Sequence, residues 1–318
     1  MKSQKTCWVL TLGVPGMDNQ SIGLAERMGL PVTQKFVEPI APWKHIPPWL
    51  WMHGMEQYGA KSSAFEPPWP DVLIGTSRQT IAASFAVKKL SGGKTFCIRI
   101  QDPKISFKHF DVVIAPAHDR IRGDNVIQTV GAMHFVTPQK LQSAAQQSQY
   151  AHLPSPKIAV LVGGNNKHFR LDEAAATQLT ECLVAMAKKN GGSLLVTTSR
   201  RTGQAATQIL QQGLRDTPGV VWTGEGANPY FEFLGLADAV VATGDSVSMT
   251  CEACITGKPV YTVDLRGGSV KFSRFHQLMQ AQGYTRPFLG ELEDWSGAQL
   301  DEVSDVAAEV WRRMGSGE

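Results

Sequence analysis

The chain alternates between short, nearly continuous apolar runs and longer stretches in which apolar positions recur every three or four residues. In the first half, TCWVLTLG, DVLIGT, KTFCIRI and FDVVIAP are apolar almost throughout and stop at Gly, Pro or a small polar residue. Runs of this kind predict strands buried on both faces, as in a parallel sheet covered by helices. Between them, SIGLAERMG and SRQTIAASFAVKKLSGG carry helical spacing, and the second closes on a Gly-Gly stop. The alternation restarts with KIAVLVGG, SLLVTTS, GVVWTG, ADAVVAT and PVYTVDL as strands, separated by four helical segments.

The stretch between the halves, TPQKLQSAAQQSQYAHLPSPK (137–157), is rich in Gln, Ser and Pro and is the best linker candidate, with room for one short helix. The pattern therefore predicts an α/β protein of two Rossmann-like, doubly wound domains, 1–145 and 156–299. In such sheets ligands bind outside the carboxyl ends of the strands, and two domains are expected to flank a cleft. Leu300, Val303, Ala307, Val310 and Met314 form one helical stripe in the C-terminal helix 300–318. That helix packs either on its own domain or back on the first, and the sequence leaves both open.

Composition narrows the function classes. With 318 residues, 42% hydrophobic and 19% charged, the chain is an ordinary globular protein long enough for two cores. A net charge of +3 argues against a general nucleic-acid binder but suits an anionic ligand. No run reaches the roughly 18 apolar residues that span a bilayer, and the start MKSQKTCWVLTLGVPG is too briefly apolar for a secretion signal. A cytoplasmic protein is expected, in which the five cysteines are reduced and mostly buried.

Candidate chemistry concentrates in GDSVSMTCEACITGKPV (244–260). It reads as a strand-to-helix turn, a helix to about Thr256, a stop at Gly257 and a break at Pro259. Asp245 or Ser246 is the expected N-cap, and the free N–H groups of the helix start, with Ser246 and Ser248, form a site for an anion. Glu252 lies about 9 Å further along the axis, a spacing that suits a diphosphate at the tip and a sugar hydroxyl on the carboxylate. A capped helix with a solvated Glu252 accounts for the same residues. Cys251 and Cys254 share a helical face mid-helix, which favours core packing over redox chemistry. G-D-S-V-S lacks the second glycine of a serine-nucleophile elbow.

Other candidates also follow strand ends. Gly163, Gly164 and Asn165 form a loop that admits close backbone approach to a ligand, without the spacing of a dinucleotide fingerprint or a P-loop. Arg200 and Arg201 are placed to fork onto phosphate, and Lys271, Arg274 and His276 come after PVYTVDL. In the first domain, Asp18 is at the polar tip of GVPGMDNQS, and His118 with Asp119 offers a base and its orienting carboxylate. No Asp-x-Asp pair or metal-spaced cluster is present, so no metal or cofactor is expected. The Trp- and Pro-rich connection 39–70 either docks on a membrane surface or apolar acceptor, or folds back on its domain.

These motifs together resemble the plant mitochondrial-fission (elongated mitochondria) family and its bacterial relatives. The resemblance rests on DSVSM-x-x-EAC-x-TGKPVY, KF-x-x-FH, G-x-x-RPF-x-G, LG-x-PG-x-x-NQ-x-IGL, AP-x-HD, VGA-x-H, SRRT and NPY-x-x-x-L-x-x-AD. The architecture is similar to GT-B glycosyltransferases, including the peptidoglycan N-acetylglucosaminyltransferase. In that enzyme a Gly-Gly loop and an S-x-x-x-x-x-x-E-x-x-x-x-G-x-P helix hold a UDP-sugar. The resemblance implies that Gly163, Gly164 and Glu252 do so here, although Asp245 stands at the motif's first Ser and Ser246 at the Gly after it. It implies a metal-independent transferase using a nucleotide-diphosphate sugar, with a lipid or glycan acceptor in cell-envelope synthesis at the inner membrane. A non-catalytic adaptor on the same scaffold, as the plant relatives resemble, or a sugar-nucleotide 2-epimerase are the alternatives.

Overall fold

The computed structural model describes residues 4–47, 50 and 55–315. The chain forms two compact units, one of residues 1–135 with 301–318 and one of residues 136–300.

In the first unit, the strands are β1 (Cys7–Thr11), β2 (Val32–Phe36), β3 (Val72–Thr76), β4 (Phe96–Ile100), β5 (Val112–Pro116) and β6 (Val126–Thr129). They make one parallel sheet in the order β2-β1-β3-β4-β5-β6. Helices α1 (Pro15–Arg27) and α2 (Ile81–Leu90) are the crossovers after β1 and β3. Both faces of the sheet are covered, which is why its strands read as unbroken apolar runs. Cys7, Val9, Val72, Ile74, Ile98 and Ile114 point into the core beneath α1, while Trp8, Leu10, Leu73, Cys97 and Val113 point into the one beneath α2. Trp43 and Trp69 pack against this second core, so these two tryptophans of the 39–70 connection fold back on the unit. Trp69 meets Trp8 edge-on at 5.8 Å, and the Lys35 ammonium lies 4.3 Å from the Trp8 ring centre. Trp49 and Trp51, also part of the expected docking surface, lie outside the described residues.

The second unit begins with α3 (Pro138–Gln146), followed by β7 (Lys157–Val162), β8 (Phe169–Arg170), α4 (Glu173–Asn190), β9 (Ser193–Thr198), α5 (Gln204–Gly213) and β10 (Gly219–Trp222). It continues with α6 (Tyr230–Leu236), β11 (Ala239–Thr243), α7 (Val247–Cys254), β12 (Val260–Val263), β13 (Arg266–Gly267), α8 (Val270–Ala281) and β14 (Arg286–Pro287). Six strands form a parallel sheet ordered β10-β9-β7-β11-β12-β14, and β8 pairs antiparallel with β13. The Gln-rich segment expected as a linker carries α3, capped by Thr137 accepting the Lys140 N–H, and α3 packs on α6. Only Leu141 of α3 is buried, so its polar composition reflects one-sided packing.

Helix α9 (Glu302–Gly315) belongs to the first unit, which settles the question the stripe left open. Val303, Val306, Ala307 and Val310 enter the core beneath α1. The Glu302 carboxylate accepts the N–H groups of Val130 and Gly131 at 2.5 and 2.8 Å, and Trp311 donates to the Met28 carbonyl. Leu300 stays in the second unit, its N–H on the Cys254 carbonyl at 3.1 Å. Among the described residues, no helix is long and apolar enough to cross a membrane.

Candidate functional site

The second sheet fixes where its site can be. From β7 the chain crosses to β9 and β10 on one side, then returns to β11 on the other. The crossovers therefore diverge between β7 and β11, and the crevice at their carboxyl ends is left uncovered by either. The loops that open there are Gly163–Gly164 and Gly244–Ser246, two of the segments singled out from sequence.

A buried clasp joins those loops. The Asp245 side chain is fully buried, and its Oδ2 pairs with Arg201 Nη1 at 2.8 Å and accepts the Gly164 N–H at 3.1 Å. Its Oδ1 accepts the Thr243 hydroxyl at 2.7 Å, and Asn166 donates its side-chain amide to the Asp245 carbonyl. The third loop, after β9, is tied in by Ser199 and Thr202, whose hydroxyls donate to the Gly163 carbonyl at 3.0 and 2.5 Å. Asn165 gives its N–H to the Arg201 carbonyl, and its side-chain oxygen accepts the Leu171 N–H. Asp245, Arg201 and Asn165 are thus committed to building the loops.

The two glycines are required by contact. A Cβ on Gly163 would lie 2.2 Å from Asp245 Oδ1. One on Gly164, whose φ is +149°, would lie 2.2 Å from the Arg201 carbonyl oxygen. Gly163→Ala is therefore expected to cost about 1–3 kcal/mol by forcing the clasp apart. Chemical denaturation measures this, and a variant as stable as the parent would mean the carboxylate is not seated on the loop.

Ser246, not Asp245, caps α7: its Oγ accepts the Met249 N–H at 3.3 Å. The N–H groups of Val247 and Ser248, at the first two helical positions, have no acceptor within the helix. With the half-buried Ser248 hydroxyl and the exposed Arg200, they are the donors offered at this edge. Lys271 is exposed at the start of α8. His276 reaches the Gly244 carbonyl through Nε2 at 2.7 Å, so it braces the turn. Cys251 and Cys254 are buried and take part in no disulfide, in line with the core packing expected of them.

Glu252 is not a solvated side chain. Its Oε2 accepts the Tyr230 hydroxyl at 2.6 Å, which leaves Oε1 for a further donor. Burial raises its pKa from 4.5 to about 7, against the opposing effect of the Tyr230 bond. Tyr230 is itself raised well above 10, first by burial and then by the neighbouring carboxylate. Tyr230 was not singled out from the sequence, although NPY-x-x-x-L contains it; a tyrosine at a helix start carries no signal of its partner 22 residues on.

The first sheet places its candidates differently. Asp18 lies in the first turn of α1, and its Oδ1 accepts the Leu12 N–H at 3.0 Å. The His118 side chain is 3% exposed, and its Nε2 is 3.9 Å from Asp119 Oδ1, beyond hydrogen-bond reach. Among the described residues, no three His, Cys, Asp or Glu side chains converge as metal ligands.

Two parallel, doubly wound sheets, one with a ligand-type loop cluster at its switch point, define a GT-B scaffold. The chain belongs to the mitochondrial fission ELM1 family, whose sequence profile matches residues 15–314. It is 30% identical over 279 residues to the mitochondrial fission protein ELM1 of Arabidopsis thaliana, covering 79% of this chain and 65% of that protein. An uncharacterized Rickettsia prowazekii protein is 26% identical, covering 75% of this chain and 78% of its own. Among solved structures, the Methanocaldococcus jannaschii UDP-GlcNAc 2-epimerase in complex with UDP-GlcNAc and UDP is similar with a TM-score of 0.55. It is 12% identical and covers 98% of this chain and all of its own. The spinosyn forosaminyltransferase SpnP has a TM-score of 0.52 at 13% identity, covering 99% of this chain and 96% of that one. At these identities the likeness is one of fold.

Proposed function

We propose that the second unit binds a nucleotide-diphosphate sugar and that the protein transfers the sugar to a lipid or glycan acceptor without a metal. The observation that carries this reading is the juxtaposition at the second switch point. The Gly163–Gly164 loop opens at that crevice, the start of α7 with Ser246 and Ser248 offers donors to phosphate, and Arg200 is exposed after the carboxyl end of β9. Glu252, held by Tyr230, then accepts a sugar hydroxyl through Oε1. Helix N–H groups and an arginine would stabilise a departing diphosphate electrostatically. Of the acceptor-side bases, the half-buried Asp18 is more open to an acceptor than His118, whose side chain is 3% exposed beside Asp119.

Titration calorimetry with UDP-, GDP-, CMP- and ADP-sugars tests the reading. One of them is expected to bind, with at least about a tenfold loss in Arg200→Ala and Glu252→Ala, the value of one charge-assisted hydrogen bond. No binding by any donor would sink it. Product chromatography without acceptor separates transfer from epimerisation.

A second reading is favoured by one observation. The Asp245 carboxylate already takes the Gly164 N–H and Arg201, two donors that a diphosphate would otherwise use. A scaffold that has satisfied its own anion site suits a non-catalytic adaptor. Partner capture that persists in Arg200→Ala and Glu252→Ala, without any nucleotide sugar, supports it.

A further inference from the structure

The first unit holds a cation with no ion-pair partner among the described residues. Arg99, on β4 beside Gly75 of β3, is 1% exposed. Among the described residues its hydrogen bonds run through Nη1, to the Ser77 carbonyl at 2.6 Å and the Thr80 hydroxyl at 3.1 Å. Its Nε is buried and has no hydrogen-bond partner among the described residues. Asp102, the acid whose charge acts on it, is engaged elsewhere: Oδ1 takes the Lys104 N–H and Oδ2 its ammonium at 2.6 Å. Tyr58 is also occupied, donating to the Gln79 carbonyl and accepting the Ala83 N–H. A buried guanidinium without a counter-ion is unfavourable, and burial pushes this one down from 12.5 to about 9.

What surrounds Arg99 suits an anion. It sits under the turn that leads into α2, whose first turn contains no acid. Ser77, in that turn, holds the left-handed φ of 71°, a strained conformation for a residue with a side chain. Ser77 and Gln79 are half-buried, so the turn reaches solvent. With Nη1 committed, the edge of the guanidinium bearing Nε remains, and that edge fits two oxygens of one carboxylate or phosphate.

We propose that the first unit binds an oxyanion, a phosphate or carboxylate group of a ligand, at Arg99 between the Ser77 turn and the start of α2. The site is independent of the nucleotide-sugar reading, which concerns the other unit. Thermal unfolding of the full chain in inorganic phosphate, in acetate and in chloride at matched ionic strength tests it. Stabilisation by phosphate or by acetate beyond chloride is expected, and the stronger of the two identifies the group. Arg99→Met should fold at least as well as the parent without anion and lose at least about tenfold in apparent affinity, whereas Arg200→Ala should keep it. No gain over chloride, or a gain lost in Arg200→Ala but kept in Arg99→Met, would overturn the proposal. If Arg99→Met fails to fold, the side-chain Nε–H resonance of Arg99 in the parent decides: it must shift on adding the stabilising anion, and a fixed resonance overturns the site.

Discussion

Arg201→Ala is expected to destabilise the protein by about 3–5 kcal/mol, and Asp245→Asn by clearly less. The asymmetry follows from exposure. The Asp245 side chain is 0% exposed and the Arg201 side chain 37%. Removing the arginine strands a buried carboxylate on one N–H and one hydroxyl, whereas removing the acid lets the arginine turn to water. Asparagine keeps one oxygen, for the Gly164 N–H, and its amide nitrogen then faces the Thr243 hydroxyl, whose oxygen can accept from it. The double variant should recover at least about 1 kcal/mol relative to the sum of the single changes, because its buried charge is gone. Urea denaturation with matched slopes measures all three. If Arg201→Ala is no worse than Asp245→Asn, the ion pair is not what holds the loops. The same variant bears on function: if Asp245 competes with a diphosphate for the Gly164 N–H and Arg201, Asp245→Asn will bind a nucleotide sugar more tightly.

The second large effect is pH-dependent. The pKa of Glu252 rises from 4.5 to about 7 in the folded protein, mainly through burial. Protonated Glu252 therefore favours the folded state. Its contribution is complete below pH 4.5 and is lost as the pH rises through about 7. At the usual free energy per pKa unit the difference is about 2–3 kcal/mol, reduced because the side chain is only partly covered. Glu252→Gln, which keeps an acceptor for Tyr230, should be more stable than the parent by about that much above pH 7 and no different near pH 4.5. Melting curves across this range read the effect, and a constant difference at every pH would refute the assignment. If the second unit binds a nucleotide sugar as proposed, its affinity should run the opposite way, falling as the pH drops below about 7, because the proposed hydroxyl acceptor is the carboxylate.

Asp245 and Glu252 show where sequence reasoning reaches and where it stops. Both were singled out from one stretch of chain. Their surroundings differ because Asp245 finds its partners 44 and 81 residues away, at Arg201 and Gly164, and Glu252 finds its partner at Tyr230. Helix periodicity places a side chain on a face but says nothing of what another strand end brings to it. Arg99 was read only as part of a strand, because nothing in KTFCIRI distinguishes a buried arginine from one that reaches solvent.

Legible in the order of residues alone were two parallel α/β sheets, the strand ends that carry the candidate loops, the buried cysteines of α7 and the family. These follow from local periodicity, turn residues and motif order, which are properties of neighbouring positions. Long-range packing settled that α9 belongs to the first unit, that the short helix of the Gln-rich segment packs on α6, and that Asp245 clasps the loops while Ser246 caps α7. Each of those outcomes is a contact between residues far apart in the chain, chosen by which apolar face or buried charge lacks a partner, and no local pattern encodes that choice.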